Sequence, residues 1–94
     1  MKAWTYITTN RPNGTIYTGF TKELKYRIQS HKTKKYKNSF SAKYNLDKLV
    51  WYEEFDTITA ARTREKQLKA GSRAKKIKLI EEINPEWKDL YEVL

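Results

Sequence analysis

Residues 14–20 read GTIYTGF, and this stretch decides the fold because it predicts the returning strand of a β-hairpin. Alternate side chains of a strand face opposite ways, and one face here carries three residues that can pack in a core, Ile16, Thr18 and Phe20. Tyr17 and Gly19 lie on the other face, which places a phenol beside a position without a side chain. Glycine inside a strand often marks a close approach by a ligand or by backbone. The alternative is a hairpin strand whose tyrosine only packs.

The residues on either side of this strand predict a hairpin followed by a helix. AWTYIT (3–8) alternates and is rich in aromatic and β-branched residues, which predicts the first strand. TNRPNG (9–14) has the proline, asparagine and glycine of a tight turn. The second strand then covers TIYTGF (15–20). We expect Thr21 to cap a helix over 22–33, with Lys22, Lys25 and Gln29 on its exposed side.

The middle of the chain predicts a loop, a strand and a second helix. Residues 34–47 show no sustained hydrophobic period, so we expect an irregular basic loop. LVWYEEF (49–55) is apolar enough to predict a third and central strand. Asp56 or Thr57 is expected to open the second helix, which we expect to close at Gly71 in the left-handed conformation.

The last part of the chain predicts a third helix and a packed C-terminal segment. Ser72 is expected to cap a helix over 73–83, and NPEW (84–87) starts a final turn that docks Trp87, Leu90 and Tyr91 on the core. The order β-β-α-β-α-α indicates a small sandwich of the α+β class, with helices packed against a sheet. Ninety-four residues are too few for a second core, so we expect one domain over residues 1–94.

Composition excludes several classes of protein and favours a polyanionic partner. The chain has no cysteine and one histidine, which argues against a disulfide framework or a thiolate zinc site. No apolar run reaches the roughly 20 residues of a membrane span, and MKAWTYI lacks a signal-peptide core, so we expect a cytoplasmic protein with no membrane partner. The formal charge of +9 favours nucleic acid, since cations on a surface release counterions from phosphates. A surface that only confers solubility is the alternative.

Two predicted helices place charged residues toward the core. Leu24 and Ile28 define the apolar stripe of the first helix, and Arg27 and His31 border it one turn apart. In the second helix an inward stripe of three apolar residues surrounds Glu65, namely Ile58, Ala61 and Leu68. A carboxylate in an apolar setting is costly unless a cation or a metal matches it. A purely structural ion pair between Glu65 and Arg27 is the alternative.

Together with the strand tyrosines, these residues make a set that suits phosphodiester cleavage: Tyr6, Tyr17, Arg27, His31 and Glu65. One carboxylate and several waters suffice to hold Mg²⁺ or Mn²⁺, which would act as a Lewis acid on the phosphate. A guanidinium stabilises charge on the transferring group. A phenol titrates near pH 10, so a tyrosine base needs neighbouring positive charge. Gly19 is expected to keep the strand surface open beside the scissile phosphate.

These residues resemble the GIY-YIG nuclease superfamily, and the chain looks like a small stand-alone bacterial member. WTYI, with Tyr6, corresponds to the first family motif, and IYTGF, with Tyr17 and Gly19, corresponds to the second. Arg27 and His31 in YTGFTKELKYRIQSH match the helix arginine and the histidine common one turn later. Glu65 in AARTREKQLKAGSRAKK matches the metal-binding glutamate. The resemblance extends from Trp4 to about Trp87.

The resemblance implies a central three-stranded antiparallel sheet and a divalent-metal-dependent endonuclease that hydrolyses DNA in repair or processing. Tyr6 or Tyr17 would assist deprotonation of the attacking water, Arg27 would contact the phosphate and Glu65 would bind the metal. Many members carry an asparagine a dozen or so residues beyond the glutamate, where this chain has AKKIKLI. Asn84 lies farther along, and Lys75 or Lys76 is expected to reach phosphate instead.

Further contacts with nucleic acid are expected from glycine and cations outside this set, namely Gly19, Lys35, Lys43, Arg64, Lys75 and Lys76. The aromatic residues of the loop, Tyr36, Phe40 and Tyr44, suit stacking on exposed bases, or belong to the core. The alternative function is a nucleic-acid-binding module that keeps the fold and cuts weakly or not at all.

Overall fold

The computed structural model describes residues 1–34 and 40–94, with side chains from residue 42 onward in the second part. In chain order the elements are β1 (Ala3–Thr9), β2 (Ile16–Thr21), α1 (Leu24–Thr33), α2 (Phe40–Lys43), β3 (Lys48–Phe55), α3 (Ile58–Ala70), α4 (Arg73–Ile83) and a 3₁₀ turn (Leu90–Val93). The predicted order β-β-α-β-α-α and the α+β class are confirmed. The short helix α2 corrects the prediction of a wholly irregular loop over 34–47.

The strands form one antiparallel sheet in the order β2-β1-β3. The prediction that the third strand is central is wrong, because β1 pairs with both of the others. The hairpin occupies one edge of β1, so β3 takes the remaining edge. The sequence of β3 resembles that of a central strand because both faces of β3 carry apolar residues. A register shift between Ile7 and Thr8, opposite Val50, bends β3 where it passes β1.

Each face of the sheet carries its own apolar cluster. The face of Ile7 packs against α3 and α4, and its buried residues are Ile7, Val50, Trp51, Ile80 and Trp87. The face of Tyr6 packs against α1 and the C-terminal segment, and its buried residues are Tyr6, Leu24, Ile28 and Leu49. Leu90 and Tyr91 pack against this second cluster, so the predicted docking of the C-terminal segment is confirmed. The predicted sandwich therefore has helices on both faces of one sheet.

Two of the predicted helix caps are present. The Thr57 side chain accepts a hydrogen bond from the Ala60 amide at 3.1 Å, and α3 begins at the next residue. The Ser72 side chain accepts from the Lys75 amide at 3.2 Å at the start of α4. Each hydroxyl satisfies one of the amide donors that a helix N-terminus leaves without a partner.

Two other predicted helix ends are wrong. The first helix begins at Leu24 rather than at residue 22, and the Thr21 hydroxyl accepts from the Glu23 amide before the helix starts. Gly71 follows α3 with φ −81° and ψ 168°, which is extended and not left-handed. Only Gly71 and Ser72 separate α3 from α4, and Ser72 must itself be extended to cap α4. The chain therefore leaves α3 without a left-handed residue.

The inward faces of the helices agree with the sequence except at one position. Arg27 is half-buried and His31 is buried beside the apolar residues of α1, as predicted. In α3, Ala61 is fully buried, and its carbonyl accepts a hydrogen bond from the Thr5 hydroxyl of β1 at 2.6 Å. Ile58 is exposed, so its predicted inward position is wrong. It is the first residue of α3.

Over residues 1–34 and 40–94, no helix combines the length and the apolar character that crossing a bilayer requires.

Candidate functional site

The centre of the candidate site is a pair of residues that face each other across the hairpin. Tyr6 of β1 lies directly opposite Gly19 of the edge strand β2. A Cβ atom on Gly19 would lie 2.7 Å from the Tyr6 hydroxyl oxygen and 2.9 Å from Cε2 of Tyr17. Such contacts are shorter than van der Waals packing allows, so glycine is required for the Tyr6 ring to lean over β2. The expectation that Gly19 leaves an open surface for phosphate is therefore wrong, because two phenols fill that space.

Helix α1 adds a cation and an imidazole to the two phenols. Arg27 donates from Nε to the Tyr6 hydroxyl at 3.4 Å, and the same hydroxyl lies 3.3 Å from Nε2 of His31. The rings of Tyr6, Tyr17 and His31 form a triangle with centroids 6.0 to 6.3 Å apart. Four of the predicted site residues therefore lie in one cluster. Both hydrogen bonds are long, and the hydroxyl contacts both partners at once.

Burial determines the protonation states in this cluster. It raises the pKa of Tyr6 to about 12, although the hydrogen bond from Arg27 and its charge act in the opposite direction. Burial also lowers the pKa of His31 to about 4, and the charge of Arg27 lowers it further. At neutral pH the phenol is protonated and the imidazole is neutral. The Tyr6 O–H can then donate to His31 Nε2 while its oxygen accepts from Arg27.

Glu65 belongs to α3 and is linked to this cluster through Lys69 and through its charge. Helix α3 packs mainly against β1 and the edge strand β2, and the Glu65 side chain is 13% exposed. Its carboxylate meets the ammonium of Lys69, one turn later, at 3.1 Å. That ammonium also lies 5.7 Å from the centroid of the Tyr17 ring. After burial and Arg27, the charges of Tyr17 and Glu65 act on the pKa of Tyr6 and raise it. Glu65 therefore shares the electrostatic environment of the phenols.

A groove of about 290 Å³ opens beside Tyr17. Its lining consists of three residues of β2 and three cations of α3 and α4, namely Ile16, Tyr17, Thr18, Lys69, Arg73 and Lys76. Tyr17 is half-buried, whereas Tyr6 is 1% exposed. Of the two phenols, Tyr17 is therefore the one that a molecule in the groove can contact.

The remaining predicted nucleic-acid contacts lie in different places. Lys76 lines the groove, whereas Lys75 is exposed on α4 and is not part of the lining. The Arg64 Nε bonds Glu53 at 3.2 Å, and its guanidinium lies over the Trp51 ring, beside β3 at the far edge of the sheet.

The basic loop is only partly described by the structure. Lys43 lies over the ring of Tyr44, which is 41% exposed. Lys35, Tyr36 and the side chain of Phe40 lie outside the described residues.

Two cations of the site were not predicted from the sequence. Lys69 follows Glu65 by four residues, a spacing that brings opposite charges together on a helix and could have identified it. Arg73 donates from Nη2 to the carbonyl of Asn13 at 3.0 Å and so links the start of α4 to the hairpin turn. No local pattern marks that second contact, because it joins segments far apart in the chain.

The site suits a hard divalent ion held by one carboxylate. Within the described part of the chain, no group of three histidine, cysteine, aspartate or glutamate side chains could hold a metal. Glu65 offers a single, poorly exposed carboxylate, and a divalent ion there would compete with the Lys69 ammonium at one of its oxygens. Mg²⁺ accepts such sites because it keeps several waters and shares substrate phosphates. The donor set therefore fits Mg²⁺ or Mn²⁺ and does not fit a closed zinc site.

The fold and this cluster together define the class of protein. A three-stranded antiparallel sheet with two hairpin tyrosines, an arginine on the first helix and a glutamate on α3 agrees with the expectation from the resemblance to the GIY-YIG family. The family model described as the GIY-YIG catalytic domain matches residues 2–78, and the chain belongs to that family.

Its relatives are small proteins. The chain is 39% identical over 72 residues to a UPF0213 protein of Syntrophus aciditrophicus, covering 77% of this chain and 82% of that one. It is 40% identical over 74 residues to a UPF0213 protein of Staphylococcus saprophyticus, covering 74% and 84%. Its fold is similar to the solution NMR structure of a UPF0213 protein from Bacillus halodurans, with a TM-score of 0.58, 25% identity and coverage of 95% and 93%.

Proposed function

We propose that this protein is a divalent-metal-dependent endonuclease that hydrolyses DNA phosphodiester bonds in the cytoplasm, in repair or processing of DNA. The observation that carries the proposal is the cluster of Tyr6, Tyr17, Arg27 and His31, to which Lys69 links Glu65, next to a groove lined by cations. Membership of the GIY-YIG family supports the reaction class. The +9 charge supports a polyanionic substrate.

The surroundings of the two tyrosines favour different roles for them. Tyr17 lines the groove, so we assign it contact with the attacking water and assistance in the deprotonation of that water. Tyr6 is buried with a pKa of about 12, which makes it a poor base at neutral pH. Its hydroxyl instead joins Arg27 to His31 and holds both side chains in position.

Arg27 and Glu65 supply the charges that the reaction needs. Arg27 brings a permanent positive charge that can stabilise the negative charge building up on the phosphate. Glu65 would hold the metal, and a bound divalent ion would act as a Lewis acid on the phosphate and on the leaving oxygen. Each of the two residues is required independently, because one serves the phosphate and the other the metal.

The test is a nicking assay on supercoiled, branched and single-stranded DNA and on RNA, with Mg²⁺ and with Mn²⁺. Glu65→Gln, Tyr17→Phe and Arg27→Ala should each lower the nicking rate by about 100-fold or more while the protein stays folded. Glu82→Gln, an exposed acid on α4, is the matched control and should cut at the wild-type rate. Absence of nicking by the wild type on every substrate would reject the enzyme proposal.

The second candidate is a nucleic-acid-binding module without efficient cleavage. The ion pair between Glu65 and Lys69 favours it, because a carboxylate neutralised by a lysine needs no metal. Such a module should bind DNA with an affinity that falls steeply with salt and that barely changes in Glu65→Gln. Unchanged binding together with absent nicking would support this candidate.

A further inference from the structure

Lys69 contacts the negatively charged carboxylate of Glu65 and also lines the positively charged groove. Its ammonium meets the Glu65 carboxylate at 3.1 Å and lies 5.7 Å from the centre of the Tyr17 ring. The Lys69 side chain is 51% exposed, whereas that of Glu65 is 13% exposed. The lysine is therefore the more solvent-exposed partner of this ion pair. Its flexible four-carbon stem allows the charge to move without any movement of α3.

The groove beside Lys69 has the charge of a phosphate site. Lys69 shares its lining with Arg73 and Lys76, and no acidic residue is among the residues that line it. A phosphate in the groove would meet three cations from α3 and α4. Lysine binds phosphate as a point charge. A phosphate in the groove would therefore replace the Glu65 carboxylate as the anionic partner of the Lys69 ammonium.

Glu65 cannot serve Lys69 and a metal equally well. A divalent ion at the carboxylate would stand a few ångströms from the ammonium, where like charges repel strongly in a partly buried site. The Lys69 ammonium therefore weakens metal binding as long as it stays at the carboxylate. Movement toward the groove is favourable only when an anion is present there.

We propose that Lys69 couples the two sites: it occupies Glu65 in the free protein and transfers to a nucleic-acid phosphate in the groove, which releases the carboxylate for the metal. The proposal rests on the proposed function, since it takes Glu65 as the metal ligand. Coupling of this kind is reciprocal, so the metal must strengthen phosphate binding by the same factor. The protein would then assemble its metal site chiefly on substrate.

The experiment measures Mn²⁺ binding and needs no cleavage. Paramagnetic broadening of the Glu65 amide signal in ¹H–¹⁵N NMR spectra reports an ion bound at that residue, and a titration gives its affinity. Lys69→Gln removes the ammonium and keeps the chain length. It should bind Mn²⁺ about three- to tenfold more tightly than the wild type in the absence of nucleic acid, since a partly buried ion pair is lost. A short single-stranded thymidine oligonucleotide should tighten Mn²⁺ binding in the wild type and much less in Lys69→Gln.

Lys66→Gln provides the control, because it removes an exposed charge from the same helix at a position outside the groove. Equal effects of Lys66→Gln and Lys69→Gln would show that only net charge matters, and would overturn the proposal. Weaker Mn²⁺ binding in Lys69→Gln, or no broadening at Glu65 in either protein, would overturn it as well. Nicking that depends on Glu65 would leave the nuclease proposal intact in the first two cases, so the two failures are distinguishable.

Discussion

Gly19 and Tyr6 act as one unit, because the ring of the tyrosine occupies the space that any other side chain at position 19 would take. The arrangement carries the Tyr6 hydroxyl over the edge strand to Arg27 and His31. The packing of the Tyr6 ring over Gly19 thus requires a tyrosine on the central strand and a glycine on the edge strand. The glycine serves the geometry of the phenol and does not provide an opening for substrate.

Gly19→Ala should destabilise the protein by about 1–3 kcal/mol, since the added methyl group must displace the Tyr6 and Tyr17 rings. Urea denaturation measures the free energy of unfolding. In a Tyr6→Leu background the same substitution should cost clearly less, because the crowding atoms at 2.7 and 2.8 Å are gone. An equal cost in both backgrounds would show that the Tyr17 ring or the backbone, and not the Tyr6 phenol, requires glycine.

His31 makes the stability of the protein depend on pH. Burial and Arg27 hold its pKa at about 4, below its ordinary value of 6.5, so the folded protein resists the proton that the unfolded chain accepts. Neutral His31 makes its full contribution to the free energy of unfolding above pH 6.5. That contribution is lost as the pH falls toward 4. No other histidine is present in the chain to obscure this effect.

Between neutral pH and the folded-state pKa of His31, the free energy of unfolding should fall by about 1–3 kcal/mol more in the wild type than in His31→Gln. The glutamine retains an amide that can bond the Tyr6 hydroxyl and does not titrate. Urea denaturation across this pH range is the measurement. Parallel pH profiles for the two proteins would contradict the low pKa.

At the scale of elements, Asn84 joins the end of α4 to β3. Its buried side chain donates to the carbonyl of Val50 at 3.0 Å and to that of Lys88 at 2.8 Å, and it accepts from the Lys88 amide at 3.0 Å. These bonds hold the turn that leads to buried Trp87. Asn84 is therefore a structural residue. It bonds β3 and is not among the residues that line the groove.

Asn84→Ala should lower the free energy of unfolding by about 2–3 kcal/mol, because it leaves buried backbone groups without partners. Gln29→Ala, which removes an exposed amide from α1, should change stability by less than about 0.5 kcal/mol. Chemical denaturation measures both. At a temperature where Asn84→Ala is folded, its nicking rate should equal that of the wild type, and a large loss would instead give Asn84 a part in catalysis.

At the scale of the whole molecule, the distribution of charge matters more than its total. The +9 charge is a property of the entire chain, but the groove brings cations of α3 and α4 against the exposed edge strand of the hairpin. Arg64, by contrast, pairs with Glu53 beside the other edge strand. We therefore expect the groove side to carry most of the salt dependence of DNA binding.

Lys76→Gln should reduce the slope of log affinity against log salt concentration by about 0.7 for single-stranded DNA, the value for one lost phosphate contact. Lys22→Gln removes the same charge at an exposed position outside the groove and should leave the slope unchanged. Fluorescence anisotropy with a labelled oligonucleotide measures both slopes. Equal reductions would indicate that DNA binds to the basic surface at large.

Much of the fold could be predicted because its signals are local. The alternation in β1, the turn chemistry before β2 and the hydroxyl caps at Thr57 and Ser72 each depend on a few neighbouring residues. The inward placement of Arg27 and His31 follows from helical spacing alone. The low exposure of the Glu65 side chain followed from its position in an apolar stripe of the helix.

What the amino-acid sequence determined by itself was therefore the order of the strands and the longer helices, the family and the residue types available for a site. Only the tertiary structure decided that β1 is central, that Ile58 is exposed, and that the Tyr6 ring fills the space over Gly19. It also decided that Lys69 lies between Glu65 and the groove. The physical reason is the separation along the chain over which each interaction acts. Turns, caps and periodicity involve residues close in sequence, whereas these contacts depend on how distant segments pack together.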